Sequence, residues 1–270
     1  MPSLDQVPAS TPDTPPAQAS APKPAPVPAP DSLFPERYRF LSGSALKLIA
    51  VVTMLTDHVC KRILVAYPQF NVTLYSFFGE PVTWTVLLTS IGRLAFPIFC
   101  FLLVEGFLHT RNRWRYGRNL LIFALISELP FDLSRTLMFW DPTYQNVFFT
   151  LFIGYAGLCA LEHLKDKPTK QSVLVISLAI ASMALKCDYG PRGYALILIL
   201  YVLRDNALVK TALGCCVELG TWRAGLAFIP INLYNGKRGF IQGPVLKFAF
   251  YSFYPLHLFV LWQLRLVLGV

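Results

Sequence analysis

From about residue 43 to its end, the chain is a series of apolar runs, and several of them hold charged side chains in their interiors. A helix needs about 20 residues to span the hydrocarbon layer of a bilayer, and the runs approach that length. Inside that layer every backbone N–H and C=O must be bonded within the protein, which leaves only helices or a closed barrel. The runs do not alternate apolar with polar residues, so helices are expected. The fold class expected is all-α, a polytopic helical integral membrane protein. Spans fall at roughly 44–66, 82–109, 118–137, 146–163, 171–186, 190–203, 208–231 and 246–268, about eight transmembrane helices within a range of eight to ten. The second contains Gly92, Arg93 and Pro97 and is expected to kink or break.

Composition agrees. Hydrophobic residues fill 54% of the 270 positions and charged residues only 14%, against about 25% charged in a soluble domain. The net charge is +9, but the basic residues lie in short clusters between runs, which suits orientation signals and not a nucleic-acid partner. With the N-terminus cytoplasmic, twelve Lys and Arg fall inside and six outside, the six being Lys61, Arg62, Arg135, Arg192, Lys237 and Arg238. Both chain ends are therefore expected inside. Residues 1–40 are rich in Pro and Ala and read as a disordered cytoplasmic tail without a signal-peptide core, and 41–270 as the membrane domain. The six cysteines include no CxxC pair, so no disulfide framework and no metal is expected.

A charge buried in a bilayer costs about 2.5 kcal/mol or more, so the polar residues at depth are the candidates for function. In SALKLIAVVTMLTDHV, Lys47 and His58 are eleven apart and share a helix face, about 16 Å from end to end. Asp57 can orient His58 or raise its basicity, or it can be neutralised by Lys61 one turn on. In the second run Arg93 suits an anion, or an ion pair with Glu105 or Asp57. Glu105 and His109 share a face, and His109 borders the basic TRNRWRYGR loop. Glu128 and Asp132 flank Pro130 and can hold an amine, share a proton or balance charge. Asn146 opens the fourth run as a cap or a cross-bundle donor. The segments DYGPRG, with Asp188 and Tyr189, and YNGKRG, with Asn235 and Arg238, are polar islands that tight turns also explain. His257 sits near Pro255 in the last run, placed to bond a neighbouring helix or to act.

Taken in order, LKLIAVVTMLTDH, IGRLAFPIFCFLLVEGFLHTRN, LIFALISELPFDL, NVFFTLFIG, DYGPRG, YNGKRG and FYPLHL resemble the TraX family of membrane proteins over nearly everything from residue 44 onward. That family is associated with N-terminal acetylation of F-type conjugative pilin, and it resembles the wider transmembrane acyltransferases. Those carry an arginine on a membrane helix with a histidine eleven residues later; here Lys47 stands at the arginine position and His58 at the histidine. Lys47 keeps the positive charge but lacks the bidentate fork. The resemblance implies a catalytic His58, acetyl-CoA as acyl donor, and a multi-pass location in the bacterial inner membrane.

The residues are compatible with that role. The donor is expected to approach from the cytoplasm near Lys47 and the Arg111–Arg118 loop, with its thioester reaching His58 poised by Asp57. Arg93 is the candidate electrostatic stabiliser, and Glu128 and Asp132 would hold an acceptor, such as a pilin-like protein, from the outer side. Two other classes fit a chain of this kind: a proton-coupled transporter, which also keeps acids and His at depth, and a non-catalytic scaffold of a pilus or conjugation system. No internal repeat speaks for the transporter.

Overall fold

A computed structural model describes residues 29–270 apart from positions 78 and 218. The expected tail over residues 1–28 lies outside the described residues. The described chain is mainly helical: α1 Gly43–Arg62, α2 Trp84–Gly92, α3 Ala95–His109, α4 Arg113–Thr136, α5 Val147–His163, α6 Pro168–Ala184, α7 Gly190–Val202, α8 Ala207–Val217, α9 Phe228–Asn232 and α10 Gly243–Leu268. A short hairpin, β1 Thr73–Phe77 and antiparallel β2 Glu80–Thr83, joins α1 to α2 and was not anticipated. Helix starts are where short polar side chains can satisfy otherwise unbonded amides. Ser42 accepts from Ala45 N on α1 at 3.2 Å, and Asn112 accepts from Arg115 N on α4 at 2.8 Å.

Two stretches, Trp84–His109 and Val245–Leu268, are long and apolar enough to cross a membrane. The first is divided at Arg93 and Leu94 into α2 and α3, at the break the Gly-Arg pair foreshadows. The other helices are shorter or carry more charge, so the number of crossings is not fixed by length and hydropathy.

The 208–231 run departs from expectation. It is a hairpin and not a straight span, because α8 is 11 residues long, about 16 Å, against a hydrocarbon layer of about 30 Å. The chain folds back through a 3-10 segment Leu219–Ala227, and Asn232 Nδ2 donates to Thr211 Oγ1 across the hairpin at 3.1 Å. The following turn therefore returns to the end of the bundle where α1 begins: Gly43 N bonds Lys237 O at 2.8 Å and Ser44 N bonds Arg238 O at 2.9 Å. Lys237 and Arg238, placed outside by the sequence reading, share the α1-start end, called here the near end. The end of α10 lies at the opposite, far end, where Arg265 Nη1 donates to Ser134 O at 2.9 Å. The two ends of the helical unit thus lie at opposite ends of the bundle, against the expectation of both inside.

The tail boundary also moves. Residues 31–40 were assigned to the tail, yet this stretch is bonded to the near end. Lys210, 1% exposed, donates to Asp31 O at 2.7 Å, and the Asp31 carboxylate caps α8 through Ala207 N at 3.1 Å. That amide, followed by the amide of Ser32, holds the Asp31 carboxyl below the usual carboxylate range.

Three helices start at mid-depth and not at the surface. Asn146, which opens α5, is bonded to Ala124 O in the middle of α4 at 2.8 Å. Tyr189, preceding α7 in a left-handed conformation, stacks on Phe96 in the first turn of α3 at 3.6 Å. Thr150 in the first turn of α5 donates to Asp188 O. The starts of α3, α5 and α7 therefore meet, and their partial positive charge faces one region. α1 approaches the same region through Gly92, since a Cβ at that position would overlap the Asp57 Cβ. Gly92→Ala is expected to destabilise the fold by about 1–3 kcal/mol by overpacking a contact that a flexible side chain cannot relieve, measured as a lowered unfolding midpoint in detergent.

Candidate active site

A cavity of about 930 Å³ opens at the near end and runs inward between α1, α3, α4, α5 and α10. Its rim is basic: Lys47, Arg111, Arg115, Arg238 and Lys247 all line it, with His109 beside them. Its walls are aromatic, and its deepest residues are Met54, Val147, Phe148, Phe253 and Tyr254. The helix stripe Lys47, Val51, Met54 forms one wall, as its spacing requires.

His58 stands one turn past Met54, behind this floor. Its Nδ1 lies 2.7 Å from Nε2 of His257 on α10, and the two rings are nearly parallel, with an interplanar angle of 8°. His257 Nδ1 in turn lies 2.8 Å from the carbonyl oxygen of Phe253. A carbonyl only accepts, so His257 Nδ1 carries the hydrogen. In the neutral pair its Nε2 is then the acceptor, and His58 Nδ1 is the donor. This chain of assignments leaves His58 Nε2 with a free lone pair, the form a base or nucleophile needs.

The orienting partner of His58 is therefore His257. Asp57, proposed for that role, turns to the other side of α1: its Oδ2 accepts from Lys61 Nζ at 2.6 Å, and its Oδ1 is buried without a partner. Adjacent residues on a helix point about 100° apart, so Asp57 and His58 cannot serve the same neighbour. The bland alternative for Asp57, neutralisation by Lys61, is the one realised.

The remaining candidates fall into two groups. Glu105, His109 and Arg238 join Lys47 around the near-end cavity. Glu105 is 8% exposed and lies beside the Tyr234 hydroxyl, in the near-end group and not in an ion pair with Arg93. Asn235 does not reach the cavity: its Oδ1 accepts from Lys237 N at 2.9 Å and shapes the turn.

The second group lies in the far half. Arg93, Lys61 and Asp57 are within electrostatic reach of Asp188, whose Oδ1 accepts from the Tyr144 hydroxyl at 2.8 Å. Tyr189 packs on Phe96, with ring centroids 3.6 Å apart. Asn146 holds Glu128 Oε2 through its side chain, and at 3.3 Å through its backbone N–H, while its own Oδ1 caps Phe148 N at 3.0 Å. Asp132 Oδ2 accepts from Asp141 N at 2.8 Å and ties down the 139–143 loop. In that loop the hydroxyl and amide of Thr143 hold the Asp141 carboxyl below its ordinary range. Glu128 Oε1 and Asp132 Oδ1 remain buried and without partners.

Tyr254, Tyr144 and Lys247 are not among the candidates the sequence offers, whereas Arg115 belongs to the basic loop expected near the donor. A signal existed for two of them, since Lys247, Phe250, Tyr254 and His257 recur at three- and four-residue spacing on one face of α10. Asn146→Ala is expected to cost about 1–3 kcal/mol by removing a cap and stranding Glu128, read as a lower unfolding midpoint with the near-end cavity still able to bind ligand.

These features define a helical membrane protein in which a basic-rimmed cavity leads inward toward a part-buried histidine pair. The chain belongs to the TraX family, whose model, described as TraX protein, matches residues 42–265. It is 30% identical over 256 residues to a protein of Dichelobacter nodosus described as a probable fimbrial assembly protein FimC of serogroup H1, an alignment that covers 84% of this chain and 97% of the relative. No solved structure matches the chain.

Proposed function

We propose that this protein is a multi-pass acyltransferase of the bacterial inner membrane, moving an acetyl group from acetyl-CoA to an amine or hydroxyl of a pilin-like protein or another envelope molecule. The observation that carries the reading is the near-end cavity itself. It offers five basic side chains at its mouth for the phosphates of the donor, and an aromatic shaft whose floor residue Tyr254 packs against His58. Bringing Lys237 and Arg238 to the near end adds to the Lys and Arg bias that orients this end toward the cytoplasm.

In this reading the acyl carbonyl comes to rest against the floor of the cavity. His58 Nε2 takes the proton of the acceptor as the new bond forms, then returns it to the departing thiolate. His257 holds the tautomer that makes this possible. Glu128 and Asp132, with buried unpartnered oxygens in the far half, are suited to steady an acceptor ammonium before it loses its proton. Arg93 acts there as an electrostatic partner of Asp188 and not of the donor.

Two measurements test this. His58→Ala, with membrane insertion verified, is expected to lower acyl transfer from labelled acetyl-CoA by about 10²-fold or more. Retained wild-type turnover would remove His58 from the chemistry. Separately, the double variant Arg115→Ala, Lys247→Ala is expected to raise the KM for acetyl-CoA about tenfold or more with little change in kcat, and wild-type affinity should weaken as salt rises.

The name of the Dichelobacter relative favours a second reading, in which the protein serves pilus assembly as a non-catalytic partner. That reading expects pilus formation to survive His58→Ala.

A further inference from the structure

We infer that Tyr254 is a catalytic residue that binds the carbonyl oxygen of the acyl group and stabilises the charge that develops on it. The inference rests on the acyl-transfer reading and adds the electrophilic half of the site, which His58 alone does not supply.

Tyr254 occupies the boundary between the two groups of polar residues. It lines the floor of the near-end cavity, is 5% exposed, and stands edge-on to both imidazoles, with ring centroids 6.1 Å from His58 and 5.5 Å from His257. It is thus the cavity-lining polar side chain that also touches the histidine pair. Its ring is fixed by an edge contact with Phe148 at 5.3 Å, so the hydroxyl has little freedom to swing away.

The hydroxyl oxygen lies beside the backbone N–H of Val147. Val147 is the first residue of α5, a helix of 17 residues, and it too lines the cavity floor. An amide hydrogen near the oxygen favours the lone pairs on that side, which leaves the O–H hydrogen to donate elsewhere. Because α5 starts at mid-depth, its positive end acts on the same spot. A phenol donor backed by a helix N-terminus, in a site screened from water, is the arrangement that favours a developing oxyanion.

The step balances as follows. The lone pair of the acceptor amine forms a bond to the acyl carbon while His58 Nε2 accepts the amine proton. The carbonyl π pair moves onto oxygen, where Tyr254 O–H donates a hydrogen bond without losing its proton. When the carbonyl re-forms, the carbon–sulfur bond breaks and the thiolate leaves with the proton held by His58. No oxidant, reductant or metal is consumed.

The test is Tyr254→Phe in the full-length protein in lipid nanodiscs, assayed with acetyl-CoA and a short peptide bearing a free α-amine. The ring is kept, so packing against Phe148 and the histidines is kept as well. The expected result is a fall in kcat of about 10²–10³-fold, with the KM for acetyl-CoA and the unfolding midpoint unchanged. Wild-type kcat in Tyr254→Phe, beside a dead His58→Ala, would overturn this inference and leave the acyl-transfer reading standing. A rise in KM with kcat unchanged would also overturn it, since that pattern marks a binding contact. A wild-type protein that neither binds acetyl-CoA nor releases free thiol would overturn both.

Discussion

The hydrogen-bond chain from the Phe253 carbonyl through His257 to His58 is the interaction on which the rest depends. Imidazoles in a low-dielectric interior are costly unless each nitrogen has a defined role. Here three of the four nitrogens are spoken for, and the direction of donation is set by a backbone carbonyl that cannot donate. The chain joins α1 to α10, helices from opposite ends of the sequence, and so couples closure of the bundle to the tautomer of one side chain. What makes the pair stable is also what leaves a single basic nitrogen uncommitted.

Around that pair the helices are cut short for a purpose the bilayer makes intelligible. Non-helical backbone at depth is tolerated only where other protein groups satisfy it. The starts of α3, α5 and α7 meet this condition with Asn146, Thr150 and the stacked Phe96 and Tyr189, and their positive ends face a common region. Lys61, Arg93, Asp57 and Asp188 occupy it with charges of both signs, which neutralise each other at a depth where any one alone would be expensive. The near-end cavity is different in kind, aromatic along its length and cationic at its mouth.

The near end is also held together from unexpected parts of the chain. A buried Lys210 reaches the backbone of Asp31, Asp31 caps α8, and the turn at 235–239 bonds the start of α1. These contacts place Arg238 on the cavity rim and explain why a run long enough to look like one crossing folds back on itself.

Much of this protein was legible in its residues. Apolar runs located the main helices because burying backbone in lipid permits no other regular element here. The break at Gly92-Arg93 and the shared face of Lys47, Val51 and Met54 followed from local geometry alone. Residues 31–40 looked like tail because composition measures apolar bulk and not hydrogen bonds to a distant helix. Asp57 looked like the partner of His58 because it is next to it in sequence. Yet the helical turn sends neighbours to different faces, and only packing of α10 against α1 could supply His257. The sequence by itself determined a helical membrane chain with ionisable groups at depth, since period and hydropathy are local properties. Which of those groups meet, and therefore which nitrogen is free to act, was decided by tertiary structure, because hydrogen bonds between residues 199 positions apart exist only once the helices have packed.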